Sequence, residues 1–284
     1  MEETRVMEDS LDQELIKGRE ERVAEARSLN LLSNVFMTAA LDDRQACQYV
    51  LRILLGIPEL VVKEVRVQYR ISKITSHDAV LDVLAEIGTN RLANIEIQRA
   101  DTIDHARRTR FYGAMIDSEY LAKGKAYDEL PDVHILYISE TDLWKAGKTC
   151  YPVDKYFRGT DLAYDDGMRV LYVNAAVNDG SETARLMQYF RTADPDDMTH
   201  GDLSKRVHFL KSEEGGYKGM CEISDKWVKE GIEIGRRHGE MKKAKETALA
   251  LADMGLSVEQ IAKAVEVSVS LVKQWLEGGV ALAK

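Results

Sequence analysis

The sequence predicts an α/β fold with a helical appendage at the C-terminus. Segments with the two-residue period of strands alternate with segments of helical period, in the order helix, three strands, helix, strand. The last of these strands, DVHILYISE at residues 132–140, is an apolar run with the length and composition of a buried central strand. The expected core is therefore αβββαβ.

The elements before the centre of the chain follow from local signals. Residues 8–28 carry a weak apolar stripe among many charges, which predicts a mostly solvated helix. A second helix should begin near Asp43 and end at Gly56. Residues 60–71, LVVKEVRVQYRI, partly alternate and predict the first strand. Glu64 on this strand is expected to be solvated, and the alternative is that it supplies a carboxylate to a site.

Residues 77–98, HDAVLDVLAEIGTNRLANIEIQ, predict a β-hairpin. Apolar and polar residues alternate in both halves, and the connector Gly-Thr-Asn at residues 88–90 holds residue types that tolerate a positive φ. The alternation places Asp78, Asp82 and Glu86 on one face of the first strand. The sequence therefore predicts an acidic face in the middle of the fold.

Asp82 and Glu96 are the two candidate metal ligands. A hairpin that pairs residue 84 with residue 94 sets these two side chains directly opposite each other, about 5 Å apart. Two carboxylates at that distance repel unless they are protonated, solvated or bridged by a cation. Mg²⁺ prefers such oxygen ligands and fills its other positions with water. A metal held there suits hydrolysis of a phosphodiester, because it can activate water and stabilise the leaving oxygen.

The residues LDVLAE and NIEIQRAD, followed by RRTRFYGAMI, resemble the active-site hairpin of the PD-(D/E)XK nuclease superfamily. The resemblance is specific to the Rpn-type recombination-promoting nucleases, also described as PD-(D/E)XK family transposases, and extends over about residues 31–230. It implies a restriction-endonuclease-like fold, in which a mixed sheet is flanked by helices, and the activity of a Mg²⁺-dependent DNA endonuclease. It also implies that Asp82 and Glu96 bind the metal with the Ile97 carbonyl, and that Gln98 is the third catalytic residue, which positions water or phosphate.

The sequence departs from the family pattern at two places. Gln98 stands where lysine is commonest, and an amide neither takes up a proton nor carries charge at neutral pH. Near the start of the domain, Ser33 and Met37 replace the Asp and Lys of an Asp-x-x-Phe-Lys motif in which only Phe36 matches. The alternative function is therefore a DNA-binding or scaffold protein that keeps the nuclease fold without turnover.

A helix is predicted at residues 101–123, beginning within a few residues of Gln98. Its first turns can reach phosphates bound at the metal. We expect Arg107 and Arg108 to contact the DNA backbone, a role that is independent of base sequence. Ion pairs with Asp104, one turn earlier on the same helix, are the alternative explanation of these charges.

The remaining part of the domain completes the fold without obvious chemistry. Further strands are predicted at residues 148–157 and 168–175, and further helices at residues 181–190, 202–210 and 219–229. Gly231, Gly235 and Gly239 then recur every four residues. A helical linker is the default interpretation of this spacing, and a dimer contact is the alternative.

The C-terminal residues 247–284 predict three short helices, of which the second begins with a capping box at residues 257–260. The stretch SVEQIAKAVEVSVSLVKQWL resembles a helix-turn-helix unit, with Glu266 in place of the usual turn glycine. Lys273 and Gln274 are the residues of its third helix expected to face DNA. A helical bundle that docks a partner or forms a homo-oligomer is the alternative.

Composition and charge restrict the possible partners and the cellular compartment of the protein. The net charge of −9 counts mildly against a nucleic-acid partner, although basic clusters at residues 107–110, 236–237 and 242–245 provide local positive charge. No apolar run approaches the ~18 residues of a membrane span, and the acidic start lacks a signal-peptide core. The 3 cysteines have no CxxC spacing, which argues against a disulfide framework and a zinc site. We therefore expect a cytoplasmic protein with no membrane partner.

These patterns divide the chain into four parts. The predicted parts are an N-terminal helix at residues 1–29, a nuclease-like domain at residues 30–222, a helical linker at residues 223–246 and a helix-turn-helix-like region at residues 247–284.

Overall fold

The computed structural model describes residues 24, 27–72, 78–99, 104–213, 215–216, 219, 236 and 239–280. The chain falls into two compact units, with the boundary between Ile223 and Ser224. Three predicted features lie mostly or wholly outside the described residues. They are most of the N-terminal helix, residues 220–229 of the helix predicted at residues 219–229, and the linker glycines Gly231 and Gly235. The division into four parts stays a prediction.

The first unit contains a mixed sheet. Its strands are β1 (Val62–Ile71), β2 (Ala79–Ile87), β3 (Arg91–Gln98), β4 (Asp132–Ser139), β5 (Cys150–Val153) and β6 (Met168–Asn174). They lie in the order β1-β2-β3-β4-β6-β5. The hairpin strands β1 to β3 are antiparallel, β3, β4 and β6 are parallel, and β5 is antiparallel to β6. This arrangement confirms the predicted α/β class and the mixed sheet.

Helices cover both faces of the sheet. The helices of this unit are α1 (Asn34–Leu41), α2 (Arg44–Leu55), α3 (His105–Tyr120), α4 (Glu182–Thr192) and α5 (Gly201–Ser212), and residues Tyr127–Glu129 form one 3₁₀ turn. Fully buried residues such as Phe36, Leu51 and Phe190 fill the core on the face that α1, α2, α4 and α5 cover. On the other face α3 contributes Tyr112 and Ile116 to a second core. The sheet is therefore buried on both sides, as its apolar strands require.

The local signals in the sequence correspond to the ends of these elements. The side chain of Asp43 accepts hydrogen bonds from the first main-chain N–H groups of α2, which Gly56 ends with a φ of 65°. In the turn between β2 and β3, Gly88 and Asn90 have φ angles of 54° and 50°. The predicted strand at residues 148–157 is shorter, because its pairing with β6 ends at Val153.

The strict alternation predicted for β2 is wrong at Asp82. Leu81 belongs to the core beneath α3, whereas Val83, two positions later, belongs to the core on the opposite face. Strand β1 changes face at the same level, where Gln68 has a left-handed φ of 49°. Two consecutive residues of each strand therefore point to one side, a local kink that the two-residue period does not predict.

The predicted acidic face does not form, because of this kink. The acidic residues around Asp82 form ion pairs near the surface: Asp78 with Arg70 at 3.6 Å, Glu86 with Lys63 at 3.6 Å, and Glu64 with Arg66 at 2.8 Å. Glu64 is solvated, as expected. Asp78 lines the same cleft as Asp82, whereas Glu64 and Glu86 do not.

The second unit consists of three helices: α6 at residues 239–253, α7 (Val258–Ala264) and α8 (Val269–Val280). They pack around Ala248, Ile261, Val272 and Trp275. The predicted capping box is present at the start of α7. None of the helices in the described part of the chain is long and apolar enough to cross a membrane.

Glu266, in the turn between α7 and α8, has a φ of 55°. A residue with a Cβ atom pays roughly 1 kcal/mol or more for this left-handed conformation. We therefore expect Glu266→Gly to raise the free energy of unfolding of this unit by up to about 1 kcal/mol. Hydrogen exchange of the α7 and α8 amides under mild urea would measure the change. The control Lys263→Gly, inside α7, should instead lower stability by about 1 kcal/mol. A loss of protection in Glu266→Gly would contradict the expectation.

Candidate active site

The candidate site lies where β2 and β3 part. Their paired register includes Leu84 with Asn94, as predicted, and it ends at Val83 and Ile95. The next residues towards the open end of the hairpin are Asp82 on β2 and Glu96 on β3. The predicted hairpin register therefore brings the two carboxylates to the point where the strands separate.

Each carboxylate accepts a hydrogen bond from a main-chain N–H of the opposite strand. The Asp82 N–H donates to Glu96 Oε1 at 3.2 Å, and the Ile97 N–H donates to Asp82 Oδ2 at 3.0 Å. The two side chains are 7% and 3% exposed. In an extended strand the N–H and C=O of one residue point to the same side, so the Ile97 carbonyl is directed to the same gap. The three predicted metal ligands are therefore neighbours in the structure.

Two amides that were not predicted support Asp82. Asn34 Nδ2 donates to Asp82 Oδ1 at 2.6 Å, and Gln68 Nε2 donates to the same oxygen at 3.2 Å. Gln68 Nε2 also donates to Asn34 Oδ1 at 3.0 Å, which joins the two amides. The sequence holds a partial signal for each, because Asn34 directly follows Ser33 of the degenerate motif and Gln68 stands in the strand paired with β2.

The rest of that degenerate motif serves packing. Ser33 precedes α1 and is largely buried, and Phe36 and Met37 are fully buried in the core. The amide that reaches the site comes from the first helical residue, Asn34. This helix therefore contributes a hydrogen-bond donor to the site and not the carboxylate of the family motif.

Both carboxyl groups have a raised pKa. Burial raises the pKa of Asp82, and hydrogen bonds from the Ile97 N–H and from Asn34 partly oppose this. The pKa of Glu96 is raised well above its usual range, first by burial and then by the charge of Asp82. The positive charge of Arg108 lowers both pKa values in part. A proton or a bound cation would relieve the remaining repulsion.

The donor set fits a hard divalent cation that keeps several water ligands. Across the described ranges, no cluster of three or more His, Cys, Asp or Glu side chains could enclose a metal. Structural zinc sites use four protein ligands, whereas Mg²⁺ is commonly bound by one or two carboxylates and water. The open cleft of about 720 Å³ that contains Asp82, Glu96 and Ile97 leaves room for those waters and for a substrate.

Helix α3 is fastened above the neighbouring strands by two tyrosines. His105 Nδ1 lies 2.8 Å from the Tyr137 hydroxyl, and Thr109 Oγ1 lies 3.0 Å from the Tyr172 hydroxyl. In the register of the sheet, Tyr137 stands beside Glu96 on one side and Tyr172 on the other. The first two turns of α3 are therefore held at the level of the carboxylates.

Arg108 points into the site. Its Nη1 donates to Gln98 Oε1 at 2.6 Å and its Nη2 donates to the Tyr112 hydroxyl at 2.9 Å. The side chain of Arg108 is half-buried. Its hydrogen-bond partners are Gln98 and Tyr112, whereas the alternative explanation of its charge was an ion pair with Asp104. Arg107 is exposed and lines the same cleft. The two arginines predicted to contact DNA therefore have different environments.

The two residues predicted to read DNA from the C-terminal unit are on its surface. Lys273 and Gln274 are both exposed on α8, while Val272 and Trp275 beside them are buried in the core of that unit. Their exposure leaves them available to a partner, and their role in binding stays a prediction.

Residues 57–176 match the family model of PD-(D/E)XK nuclease family transposases, a little under half of the chain. The matched range contains the whole sheet, α3 and the predicted residues Asp82, Glu96 and Gln98. The match confirms the resemblance found in the sequence and supports a nuclease-type function related to transposition. It is narrower than the expected range of residues 31–230. No curated protein and no solved structure gives a significant match.

The raised pKa of Glu96 predicts that this carboxylate destabilises the metal-free protein at neutral pH. Because the folded state keeps its proton to higher pH than the unfolded state, the free energy of unfolding falls as pH rises from the unfolded pKa through the raised folded pKa. We expect Glu96→Gln to remove this fall and to raise the melting temperature at pH 7 in EDTA. Each 1 kcal/mol gained corresponds to roughly 2–4 °C.

Thermal unfolding between pH 4 and pH 8 would measure the effect. The matched control is Glu86→Gln on the paired strand β2, whose exposed ion pair with Lys63 should contribute little. Saturating Mg²⁺ should stabilise the unmodified protein and leave Glu96→Gln nearly unchanged. A lower melting temperature for Glu96→Gln in EDTA would show that the carboxylate stabilises the fold.

Proposed function

We propose, from the match of residues 57–176 to PD-(D/E)XK nuclease family transposases, that the cleft between β2 and β3 hydrolyses phosphodiester bonds in DNA with the help of a bound divalent cation. The supporting observation is the pair of buried carboxylates, Asp82 and Glu96, at the parting of the hairpin strands. Mg²⁺ is the cation that this set of oxygen donors suits best.

The residues of the site have distinct roles in this proposal. Asp82, Glu96 and the Ile97 carbonyl would hold the cation, while Asn34 and Gln68 keep the Asp82 carboxylate oriented through hydrogen bonds to Oδ1. When bound, the cation supplies activation of water and stabilisation of the charge on the leaving oxygen. Burial of the two carboxylates excludes competing solvent and strengthens their interaction with the cation.

Cleavage of supercoiled plasmid tests the proposal. We expect the purified protein to nick plasmid with Mg²⁺ and not with EDTA, and Asp82→Ala to lose at least roughly 100-fold of the rate, because one of two carboxylate ligands is gone. Glu86→Ala is the control, since this carboxylate lies on the same strand in a surface ion pair. Asp82→Asn repeats the test with a side chain of the same shape. Equal nicking by the unmodified protein and both Asp82 variants would exclude this site.

Arg107 is the residue proposed to contact the DNA backbone, since it is exposed at the rim of the cleft. Arg107→Ala should weaken binding about equally for all base sequences and reduce the slope of log affinity against log salt by about 1. Fluorescence anisotropy of labelled DNA in Ca²⁺, at salt concentrations from about 50 to about 200 mM, would measure both the affinity and its salt dependence. Lys125→Ala, which breaks a surface ion pair with Glu129, is the control. An unchanged slope would remove Arg107 from the interface.

A second candidate function is DNA binding by the C-terminal unit without turnover. The order of a capped α7, a turn and α8, with Lys273 and Gln274 exposed, favours it. The double variant Lys273→Ala/Gln274→Ala should then reduce plasmid retention in EDTA severalfold, whereas Lys263→Ala on α7 should not. If retention is unchanged in both, the unit serves another purpose, and sedimentation of the full chain would test the alternative of a homo-oligomer. The cytoplasm stays the expected compartment.

A further inference from the structure

Arg108 brings a positive charge to the tip of Gln98. We propose that Arg108 is a catalytic residue that stabilises negative charge on the phosphate during cleavage, and that Gln98 is the positioning residue that holds it there. The inference rests on the proposed function and assigns a role to the position where this chain lacks the lysine of the family motif.

Two hydrogen bonds fix the position of the Arg108 guanidinium group. Gln98 follows Glu96 by two positions on β3, so both side chains leave the strand on the same side. Arg108 donates to Gln98 Oε1 at 2.6 Å from one terminal nitrogen and to the Tyr112 hydroxyl at 2.9 Å from the other. The guanidinium is therefore clamped between the end of β3 and the second turn of α3, at the side of the Glu96 carboxylate.

The Arg108 guanidinium group has further N–H donors besides the two used in these hydrogen bonds. An arginine carries more N–H groups than these two bonds use, in a fixed planar fork that matches phosphate oxygens. Arg108 lines the cleft together with Asp82 and Glu96, so its guanidinium group is near the place where a substrate phosphate would lie. A donor fixed in advance near developing charge is the arrangement that favours a transition state over a ground state.

The hydrogen bond between Arg108 and Gln98 is not required to hold α3 on the sheet. The bonds of His105 with Tyr137 and of Thr109 with Tyr172 already fasten the same turns of α3 to the sheet. A contact with the DNA backbone away from the cleavage site fits Arg107 better than Arg108, because the side chain of Arg107 is exposed and that of Arg108 is half-buried. The neutral Gln98 can hold Arg108 as a hydrogen-bond acceptor, which a lysine at this position would repel.

Steady-state cleavage kinetics of four variants test the proposal: Arg108→Ala, Arg108→Lys, Gln98→Ala and the exchange variant Gln98→Lys/Arg108→Ala. Arg108→Ala should lower kcat by roughly 100-fold to 1,000-fold with little change in KM. Arg108→Lys keeps a charge and should lose less. Gln98→Ala should lower kcat by roughly tenfold, and the exchange variant should recover at least roughly tenfold over Arg108→Ala, because a cation returns to the site.

Binding supplies the readout that activity alone lacks. DNA affinity and its salt slope in Ca²⁺ should be unchanged in Arg108→Ala, and calorimetry should show that this variant still binds Mg²⁺. The control is Arg110→Ala, since Arg110 is exposed on the same helix and does not line the cleft. It should keep kcat and KM at the values of the unmodified protein.

Several results would overturn the proposal. A loss confined to DNA affinity, with a salt slope reduced by about 1, would make Arg108 a backbone anchor. Unchanged kcat in Arg108→Ala, or an exchange variant no better than Arg108→Ala, would remove the requirement for its charge. If Asp82→Ala abolishes cleavage and Arg108→Ala does not, the proposed function stands and this inference fails. If the unmodified protein does not cleave DNA with Mg²⁺, both fail.

Discussion

The burial of two like charges side by side is the constraint on which the candidate site depends. Asp82 and Glu96 are nearly excluded from solvent, and burial and mutual repulsion raise the pKa of Glu96 well above its usual range. A structural hairpin would place apolar or neutral residues there, since unbridged buried carboxylates destabilise a fold. Under the proposed function, a bound cation would relieve this repulsion and so stabilise the first unit.

The sheet accommodates these charges by parting two strands. The pairing of β2 with β3 ends at Val83 and Ile95, next to Asp82 and Glu96. The two carboxylates accept hydrogen bonds from main-chain N–H groups that strand pairing no longer uses. The kink at Gln68 turns an amide of β1 towards Asp82, and Asn34 approaches from α1 on the same face. Asn94 Nδ2 donates to Glu96 Oε1 at 2.9 Å. The hydrogen bonds to each carboxylate thus come from the main chain and from neutral amides, which orient a charge without neutralising it.

Positive charge reaches the site from α3 and not from the hairpin. In the family motif that the hairpin resembles, lysine is commonest where this chain has Gln98. Here Gln98 accepts a hydrogen bond from Arg108, and two tyrosine contacts hold the helix that carries this arginine. The family match covers the hairpin and α3 together, so the carboxylates and the arginine lie within one matched segment. The exposed Arg107 beside them extends the positive surface to the rim of the cleft.

By itself, the sequence determined the hairpin, its register and the opposition of Asp82 and Glu96, because alternation and turn residues act over a few positions of chain. Only the tertiary structure decided the break in β2 alternation and the partners of the site. Asn34 and Asp82 are 48 positions apart, and Arg108 could pair with Asp104 on its own helix or with Gln98 on the sheet. Local spacing favours the helix pair. The choice of Gln98 depends on how α3 packs against the strands, which the two-residue and helical periods do not encode.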